Sequence, residues 1–305
     1  MASLTIPIPK TAPAIFRKPE AYNKVTAYYD IAGPDYESWS PGFNMHFGYC
    51  KHFTDMFQLE KMLFRMNDEV LDRLQMPANK DLYVADLGCG VGTVARYAAK
   101  KNKRLHITGT TISDYQLEKA RSLNLKEGLN TRVQVIKDNF EESAFPSNHF
   151  DFAYALESAC HAGGSNKELF VAEMARTLKA GGRFCIADGF IKHSKPLPWL
   201  FKKINKKITD CWALPCFGNL REFKATLLKY GFTNIKTEEI SMRIAPSVAY
   251  VPWTCVKFFV KELWQNKSLR MKKERWNNVV APVLGMVLGL YRKHFGYYII
   301  SGKKG

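Results

Sequence analysis

A short run of alternating glycines is the segment of this chain best suited to bind a ligand. Residues 84–92 read Val-Ala-Asp-Leu-Gly-Cys-Gly-Val-Gly, so an apolar stretch typical of a buried parallel strand ends on an acid and three glycines. Glycines allow the backbone to turn sharply and to approach a ligand where any Cβ would collide. Because a helix is predicted to begin near Thr93, the ligand should lie at the carboxyl end of the strand and the amino end of the helix.

The spacing of these glycines argues against a dinucleotide site. The dinucleotide fingerprint is Gly-x-Gly-x-x-Gly, and the third glycine of this chain comes one residue too early for it. That fingerprint also expects an acid about 20 residues further on, at the tip of the second strand. Thr110 and Thr111 occupy that place. A plain glycine turn in some other doubly wound protein is the alternative interpretation.

The elements around the turn alternate between strands and helices. Strands are predicted at 82–87, 105–111, 133–137, 150–156, 183–188, 232–240 and 297–301. Helices are predicted from 93 onward and at 114–128, 166–178 and 219–230. This rhythm predicts an α/β fold, Rossmann-like, with a mostly parallel seven-stranded sheet, helices on both faces and a helical substrate cap.

The predicted elements also suggest how the chain is organised. We expect a flexible N-terminal arm at 1–21, a helical lid at 22–80, a ligand-binding core at 81–189, the rest of the core with a cap insertion at 190–242, a basic helical cap at 243–294 and a final strand at 295–305. The arm holds several prolines and no acid up to Pro19, which is typical of a disordered segment. A cleaved targeting peptide is the second interpretation of the arm.

The net charge of +17 is concentrated in the last third of the chain. Residues 190–305 contain 22 Lys plus Arg and 6 Asp plus Glu, whereas residues 1–189 contain 23 and 22. The positive electrostatic potential of such a segment attracts nucleic acid, an anionic membrane surface or a phosphorylated substrate. Solvated lysines that serve only solubility are the alternative.

The seven cysteines are odd in number and scattered, several of them within apolar strand-like runs. This distribution predicts free thiols in a reducing compartment, and therefore a cytoplasmic protein. His46, Cys50 and His52 lie close enough in sequence to suggest a metal site, but no second cluster has zinc spacing. We therefore predict no bound metal.

One apolar segment near the C-terminal end is a candidate for membrane contact. Residues 279–291 are apolar but span only 13 residues, are interrupted by Pro282 and are flanked by basic clusters. Such a segment is too short to cross a bilayer. It is instead predicted to be a core or cap helix, or an interfacial helix in peripheral contact with an anionic membrane.

Several further segments give a specific resemblance to a known family. They are Tyr28–Asp30, Met45–Tyr49, Asp114–Arg121 (Asp-Tyr-Gln-Leu-Glu-Lys-Ala-Arg), Tyr154–Ala162 (Tyr-Ala-Leu-Glu-Ser-Ala-Cys-His-Ala) and Leu178–Gly182 (Leu-Lys-Ala-Gly-Gly). With the glycine turn, they resemble class I S-adenosylmethionine (SAM)-dependent methyltransferases, in the branch of sterol and tocopherol methyltransferases and cyclopropane fatty acid synthases. The sequence most resembles the sterol methyltransferases. The resemblance covers residues 22–188 and is thin beyond.

The resemblance implies SAM as the cofactor and assigns its contacts. Asp86 through Gly92 would face its methionine end and ribose, Asp138 its adenine amino group, and the tyrosine pair its carboxylate. The implied contacts are Tyr28, Tyr29, Asp86, Gly88, Cys89, Gly90, Gly92, Thr111, Ser113, Gln116, Asp138, Asn139, Phe140 and Glu157. In this branch Thr111, Ser113 and Gln116 replace the acid of other relatives. Alternatively, the tyrosines are a core aromatic pair.

Glu157 is the predicted catalytic base or cation stabiliser, because it follows the fourth strand and the resemblance places it at the reacting centre. His161 is its predicted helper, or a partner that orients it, and His46 is expected near the site mouth. A helix cap for Glu157 and a structural hydrogen bond for His46 are the alternatives. Aromatic candidates for lining the substrate pocket are Trp39, Phe43, Tyr49, Trp212 and Trp253.

Three functions compete on this basis. The first is methylation of an isoprenoid alkene carbon through a carbocation, on a prenyl diphosphate or a sterol-like lipid, with the basic last third favouring the diphosphate. The second is a small-molecule N- or O-methyltransferase, or a cyclopropane-forming lipid enzyme. The third is a nucleic-acid-binding protein with a degenerate methyltransferase fold. The complete set of cofactor positions argues against the third.

Overall fold

The computed structural model describes residues 19–267 and 270–305, so the predicted arm at 1–21 lies almost entirely outside them. The strands are β1 (Leu82–Leu87), β2 (Leu105–Thr111), β3 (Val133–Lys137), β4 (Phe150–Leu156), β5 (Leu178–Ile191), β6 (Gly218–Asn219), β7 (Phe232–Glu239) and β8 (Phe295–Lys304). The helices are α1 (Pro19–Ala32), α2 (Leu59–Leu74), α3 (Thr93–Lys101), α4 (Asp114–Lys126), α5 (Glu168–Thr177), α6 (Trp199–Cys211), α7 (Leu220–Lys229), α8 (Ser241–Val248), α9 (Val251–Asn266) and α10 (Lys273–Leu290).

The strands form one sheet in the order β3-β2-β1-β4-β5-β8-β7, with the short β6 paired to β5. Neighbouring strands from β1 to β5 run parallel, and β8 runs antiparallel to both β5 and β7. The predicted Rossmann-like α/β fold is confirmed. The prediction of seven strands missed β6, which has only two residues, so the sheet of the described residues has eight.

Side chains on the two faces of the sheet pack into separate cores. In β1, Leu82 and Val84 belong to a core with α2 and α3, whereas Ala85 and Leu87 belong to a core with α5 and α7. This alternation follows from the two-residue period of a strand. A strand buried on both faces is apolar at most positions, which is the pattern that predicted it.

Two strands are longer than predicted because they pair with adjacent strands beyond the predicted bounds. The strand expected at 183–188 begins at Leu178, which pairs with Phe150 before the register shifts. The final strand, expected at 297–301, runs over the ten residues of β8 because it lies between β5 and β7 and pairs with both.

The segment predicted as a basic cap contains α8, α9 and α10. Helix α10 packs against α6, with Leu288 of α10 and Ile208 of α6 in one small core. Among the described residues, no helix has both the length and the apolar character needed to cross a membrane.

An ion-pair network fastens the cap to the N-terminal part of the chain. The Arg275 guanidinium of α10 lies 2.7 Å from a carboxylate oxygen of Asp35 and 2.7 Å from one of Glu262 in α9. Asp35 lies in a helical turn, Gly33–Ser38, that follows α1. Both acidic side chains are only 8% exposed, so a single cation pairs with two buried carboxylates and ties three elements together.

Candidate active site

The glycine turn after β1 packs closely against the segments that face it. Gly88 and Gly90 have φ angles of +84° and +54°, which glycine adopts without steric cost. A Cβ on Gly88 would lie 2.5 Å from the Cβ of Ser158, and one on Gly90 would lie 3.2 Å from the sulfur of Met45. Any side chain at these positions would therefore collide with the segments that face the turn.

A cavity of about 260 Å³, here named the turn cavity, opens at this point. It lies where β1, β2, β3 and β4 end, as expected for parallel strands whose carboxyl ends share one edge of a sheet. The predicted site residues that line it are Tyr29, His46, Asp86, Gly88, Cys89, Gly90, Thr111, Gln116, Asp138, Asn139, Phe140, Glu157 and His161.

Hydrogen bonds fix the polar residues at two of these strand ends. The hydroxyl of Thr111 donates to the side-chain carbonyl of Gln116 (2.6 Å), so a hydroxyl and an amide occupy the tip of β2. The carboxylate of Asp138 accepts from the backbone N–H groups of Asn139 (2.8 Å) and Ala144 (2.9 Å). Burial raises the pKa of Asp138, and these two bonds oppose that rise.

Three predicted cofactor contacts do not line the turn cavity. Tyr28 is buried against α10, where its hydroxyl donates to Asn278 (2.7 Å). Gly92 is the N-cap of α3 in a left-handed conformation. The hydroxyl of Ser113 accepts from the backbone N–H of Gln116 and donates to Asp30, so it caps α4 and anchors α1. Each of these residues therefore supports the elements around the turn cavity without lining it.

A second cavity of about 210 Å³, here named the cap cavity, adjoins the first. The two cavities share Tyr29, Met45, His46, Glu157 and His161. The far wall of the cap cavity comes from α9 and α10, including Val251, Phe258 and Val279. A ligand in each cavity would therefore meet its neighbour at the shared residues.

Glu157 stands at this junction in a strained conformation. Its φ of +51° is uncommon for a residue with a side chain, and such outliers concentrate at functional sites. Its Oε1 accepts from the backbone N–H of Phe47 (2.7 Å) and from the hydroxyl of Tyr297 (2.8 Å). Burial raises the pKa of the Glu157 carboxyl to about 8, although both bonds lower it. The group thus exchanges protons near neutral pH, which suits a general base.

The two predicted histidines are neutral at physiological pH. Burial, assisted by the charge of Lys167, lowers the pKa of His161 to about 3, and burial lowers that of His46 to about 4. Nε2 of His161 lies 2.9 Å from the hydroxyl of Tyr29. In the described residues Glu157 is held by Phe47 and Tyr297, so the geometry does not place His161 as its orienting partner.

Three polar residues of the cap cavity are not predicted as site residues from the sequence. Asp188 lies within β5, accepts from the backbone N–H of Cys160 (2.8 Å), and has a pKa raised to about 6 by burial. Tyr297 reaches Glu157 from β8, and Tyr36 comes from the turn after α1. Asp188 follows an apolar run near the end of a strand, as Asp86 does, so the same pattern could have indicated it as a site residue. Nothing in the sequence distinguished the two tyrosines from core residues.

The aromatic candidates divide between the cavities and other surfaces. Trp39 and Trp212 line the cap cavity, and Phe43 lines the turn cavity. The expectation for Tyr49 and Trp253 is wrong: Tyr49 packs against the sheet core, and Trp253 is 60% exposed. Trp253 faces outward because the opposite side of α9 supplies the cavity wall.

Comparison with known proteins identifies the family to which the chain belongs. The "Methyltransferase domain" family matches residues 85–186. An S-adenosyl-L-methionine-dependent Diels-Alderase from Talaromyces variabilis is 34% identical over 219 residues, covering 68% of this chain and 72% of that protein. The chain belongs to the SAM-dependent methyltransferases. A sterol 24-C-methyltransferase from Neurospora crassa is also 34% identical over 163 residues; the match covers 53% of this methyltransferase but only 40% of the relative's length.

A solved structure shows the same fold. The cyclopropane synthase of Mycobacterium tuberculosis superposes with a TM-score of 0.79 at 16% identity, covering 93% of this methyltransferase and 98% of that chain. The cofactor of the methyltransferase is SAM. The turn cavity fits it, because the backbone of Gly88 and Gly90 lines the cavity without a side chain, and the hydroxyl and amide of Thr111 and Gln116 stand at the tip of β2.

Replacing Gly88 with alanine should weaken SAM binding by about tenfold or more, because the Cβ would lie 2.5 Å from that of Ser158 and would displace this residue of the turn-cavity wall. Gly231→Ala is the matched control, since Gly231 has a φ of +81° but nothing within 4 Å of its Cβ position. Both variants place alanine at a similar positive φ, and only the first displaces a residue that lines the turn cavity. Calorimetric titration with SAM measures the difference. Equal affinities for the two variants would contradict this role of Gly88.

Proposed function

We propose that this methyltransferase transfers a methyl group to an alkene carbon of a neutral, largely apolar isoprenoid, such as a sterol-like lipid. The observation that carries the proposal is the lining of the cap cavity. Its charged residues are Asp35, Glu157 and Asp188, and no lysine or arginine lines it among the described residues. Most of its other residues are apolar or aromatic.

This lining suits a reaction that passes through a carbocation. An alkene carbon that takes up a methyl group leaves positive charge on the neighbouring carbon. Aromatic faces and carboxylates stabilise such a charge. The cavity supplies both, with the rings of Trp39, Tyr36, Trp212, Phe217 and Tyr297 around the carboxyl groups.

The same lining argues against a diphosphate acceptor. Phosphate oxygens are held in proteins by arginine, lysine or a metal ion. The Arg275 guanidinium, which lies over the ring of Phe258 in the cavity wall, is already engaged by Asp35 and Glu262. The basic excess of the last third therefore does not point to a phosphorylated substrate in this cavity.

The residues at the junction of the cavities have separate tasks in this mechanism. When bound, SAM supplies an electrophilic methyl group. The cavity walls hold the acceptor in line and exclude water. Glu157, in its deprotonated form, then removes a proton from the carbon beside the cation, which restores a double bond in the product. Tyr297 and the Phe47 backbone orient its carboxylate.

Incubation with methyl-labelled SAM and a panel of acceptors tests the proposal. The panel contains sterols, prenyl diphosphates, phospholipids and phenols, and mass spectrometry locates the label. We expect label on carbon of a neutral isoprenoid and none on the diphosphates. Label on a diphosphate, or on oxygen or nitrogen of any acceptor, would contradict the proposal.

The Talaromyces relative favours one second candidate. Its name assigns it a SAM-dependent Diels–Alder reaction, and it matches 68% of this chain. A cycloaddition would use the apolar cap cavity to fold a polyene and would leave SAM unconsumed. An isomerised acceptor of unchanged mass, formed only with SAM present, would identify this activity.

A further inference from the structure

Helix α9 has two apolar faces, and only one of them is covered. Val251, Thr254, Cys255 and Phe258 line the cap cavity on its inner side. On the opposite side, 50% or more of each of Trp253, Val256, Val260, Leu263 and Trp264 is exposed. These five residues, here named the α9 stripe, recur at the spacing of one helix face. A contiguous exposed apolar patch of this kind marks an interaction surface.

Neighbouring elements extend the α9 stripe. Trp276 of α10 packs on Phe259 of α9, with ring centroids 5.4 Å apart, and Val283, Val287 and Leu290 continue on the same face of α10. At the other end, the hydroxyl of Tyr250 donates to the carbonyl of Met56. That bond brings the start of α9 beside the turn Phe53–Phe57, whose terminal phenylalanines are 76% and 68% exposed.

Most charges around the stripe are positive, although Lys261 lies 3.8 Å from a carboxylate oxygen of Glu37 and Glu274 lies in the first turn of α10. Lys257, Lys261 and Lys267 lie on α9 or at its end, and Lys272 and Lys273 lie at the start of α10. All five are exposed. The acid of α9, Glu262, is buried and paired with Arg275, so it does not offset them at the surface.

We propose that the α9 stripe and its lysines dock the enzyme onto an anionic phospholipid bilayer. Tryptophan rings and aliphatic side chains partition into the boundary between headgroups and acyl chains. Lysines beside them are attracted by the negative potential of acidic lipids. The combination matches an interfacial helix that lies in the membrane plane. A nucleic acid would match the charge but not the aliphatic face, and a protein partner would not require the flanking lysines.

This docking places the cap cavity directly behind the bilayer surface. Because α9 is one helix thick, about 10 Å separates the lipid from the ligand on its inner face. The docking itself does not depend on the acceptor, so it stands or fails independently of the proposed chemistry.

Co-sedimentation of the full-length protein with vesicles tests the surface. The vesicles contain phosphatidylcholine with or without phosphatidylserine. We expect binding to the phosphatidylserine vesicles that weakens as salt rises, and little binding to phosphatidylcholine alone. Trp253→Ser/Trp264→Ser should lower the affinity about tenfold or more, and Lys257→Gln/Lys261→Gln should reduce the preference for the anionic lipid.

Leu125→Ser/Leu228→Ser is the matched control, since both leucines are more than 60% exposed on α4 and α7. It should bind vesicles as the wild type does. The proposal is overturned if the wild type stays in solution with anionic vesicles or if the tryptophan variant binds equally well. It is also overturned if sedimentation without lipid shows a dimer that the tryptophan variant loses, because the stripe would then join two copies.

Discussion

Replacing Glu157 with glutamine should abolish most turnover and, at the same time, make the fold more stable. A general base contributes about 10²–10⁴-fold to a rate, and an amide cannot take the proton. The amide oxygen can still accept from Phe47 and Tyr297, which lie 2.7 and 2.8 Å from the carboxylate oxygen. The geometry of the site should therefore survive the change.

The gain in stability follows from the raised pKa of Glu157, about 8 against an ordinary 4.5. The folded state holds the proton more tightly than the unfolded state, so between pH 4.5 and 8 unfolding releases a proton. Wild-type stability consequently falls as pH rises through that window, whereas glutamine does not titrate. We expect the difference in unfolding free energy to grow from near zero at the acid end to roughly 4 kcal/mol at pH 8.

Denaturant unfolding at several pH values and turnover of labelled SAM check both halves of this prediction. Wild-type turnover should also rise with pH through about 8, because the base must lose its proton. Glu173→Gln is the control: Glu173 accepts a backbone N–H from Ser143 but lines neither cavity. It should leave turnover near the wild-type rate. Full turnover in Glu157→Gln would remove Glu157 from the mechanism.

Replacing Arg275 with methionine should cost about 3 kcal/mol of stability, because it leaves two buried carboxylates facing each other. Asp35 and Glu262 each lie 2.7 Å from the guanidinium. The same guanidinium stacks over the ring of Phe258, which lines the cap cavity. The substitution should therefore weaken acceptor binding but leave the turn cavity unchanged.

Thermal unfolding, SAM titration and acceptor kinetics distinguish these effects. We expect a lower Tm and a raised KM for the acceptor, with unchanged affinity for SAM. Arg292→Met is the control, because Arg292 is 52% exposed and contacts Glu239 at 3.4 Å; it should change stability by less than about 0.5 kcal/mol. Adding Asp35→Asn and Glu262→Gln to Arg275→Met should restore part of the loss. A triple variant no more stable than Arg275→Met would refute the buried-charge explanation.

The core of the fold could be predicted from sequence because its signals are local. Strands β1 to β4 each carry a short run rich in apolar residues, and their bounds match the prediction. Gly128 with a φ of +66° follows the end of α4, where the sequence placed a helix stop. Such features depend on neighbours within a few residues, so a pattern suffices to find them.

The acceptor side of the site could not be predicted in the same way, because it depends on contacts between distant segments. The bond from Tyr297 to Glu157 joins residues 140 positions apart. Whether Trp253 faces the cavity or the solvent depends on which side of α9 lines the cap cavity. Likewise, the charge count located the basic residues but not the fact that none of them lines the cap cavity in the described residues.

The exposed stripe on α9 also has a consequence for the protein in water. An apolar surface of this kind would bring copies of the chain together, and the net charge of +17 keeps them apart by mutual repulsion. Added salt screens that repulsion. The same ions that release the enzyme from an anionic surface should therefore promote its self-association, so its colloidal stability and its lipid affinity should respond to ionic strength together: both fall as salt rises.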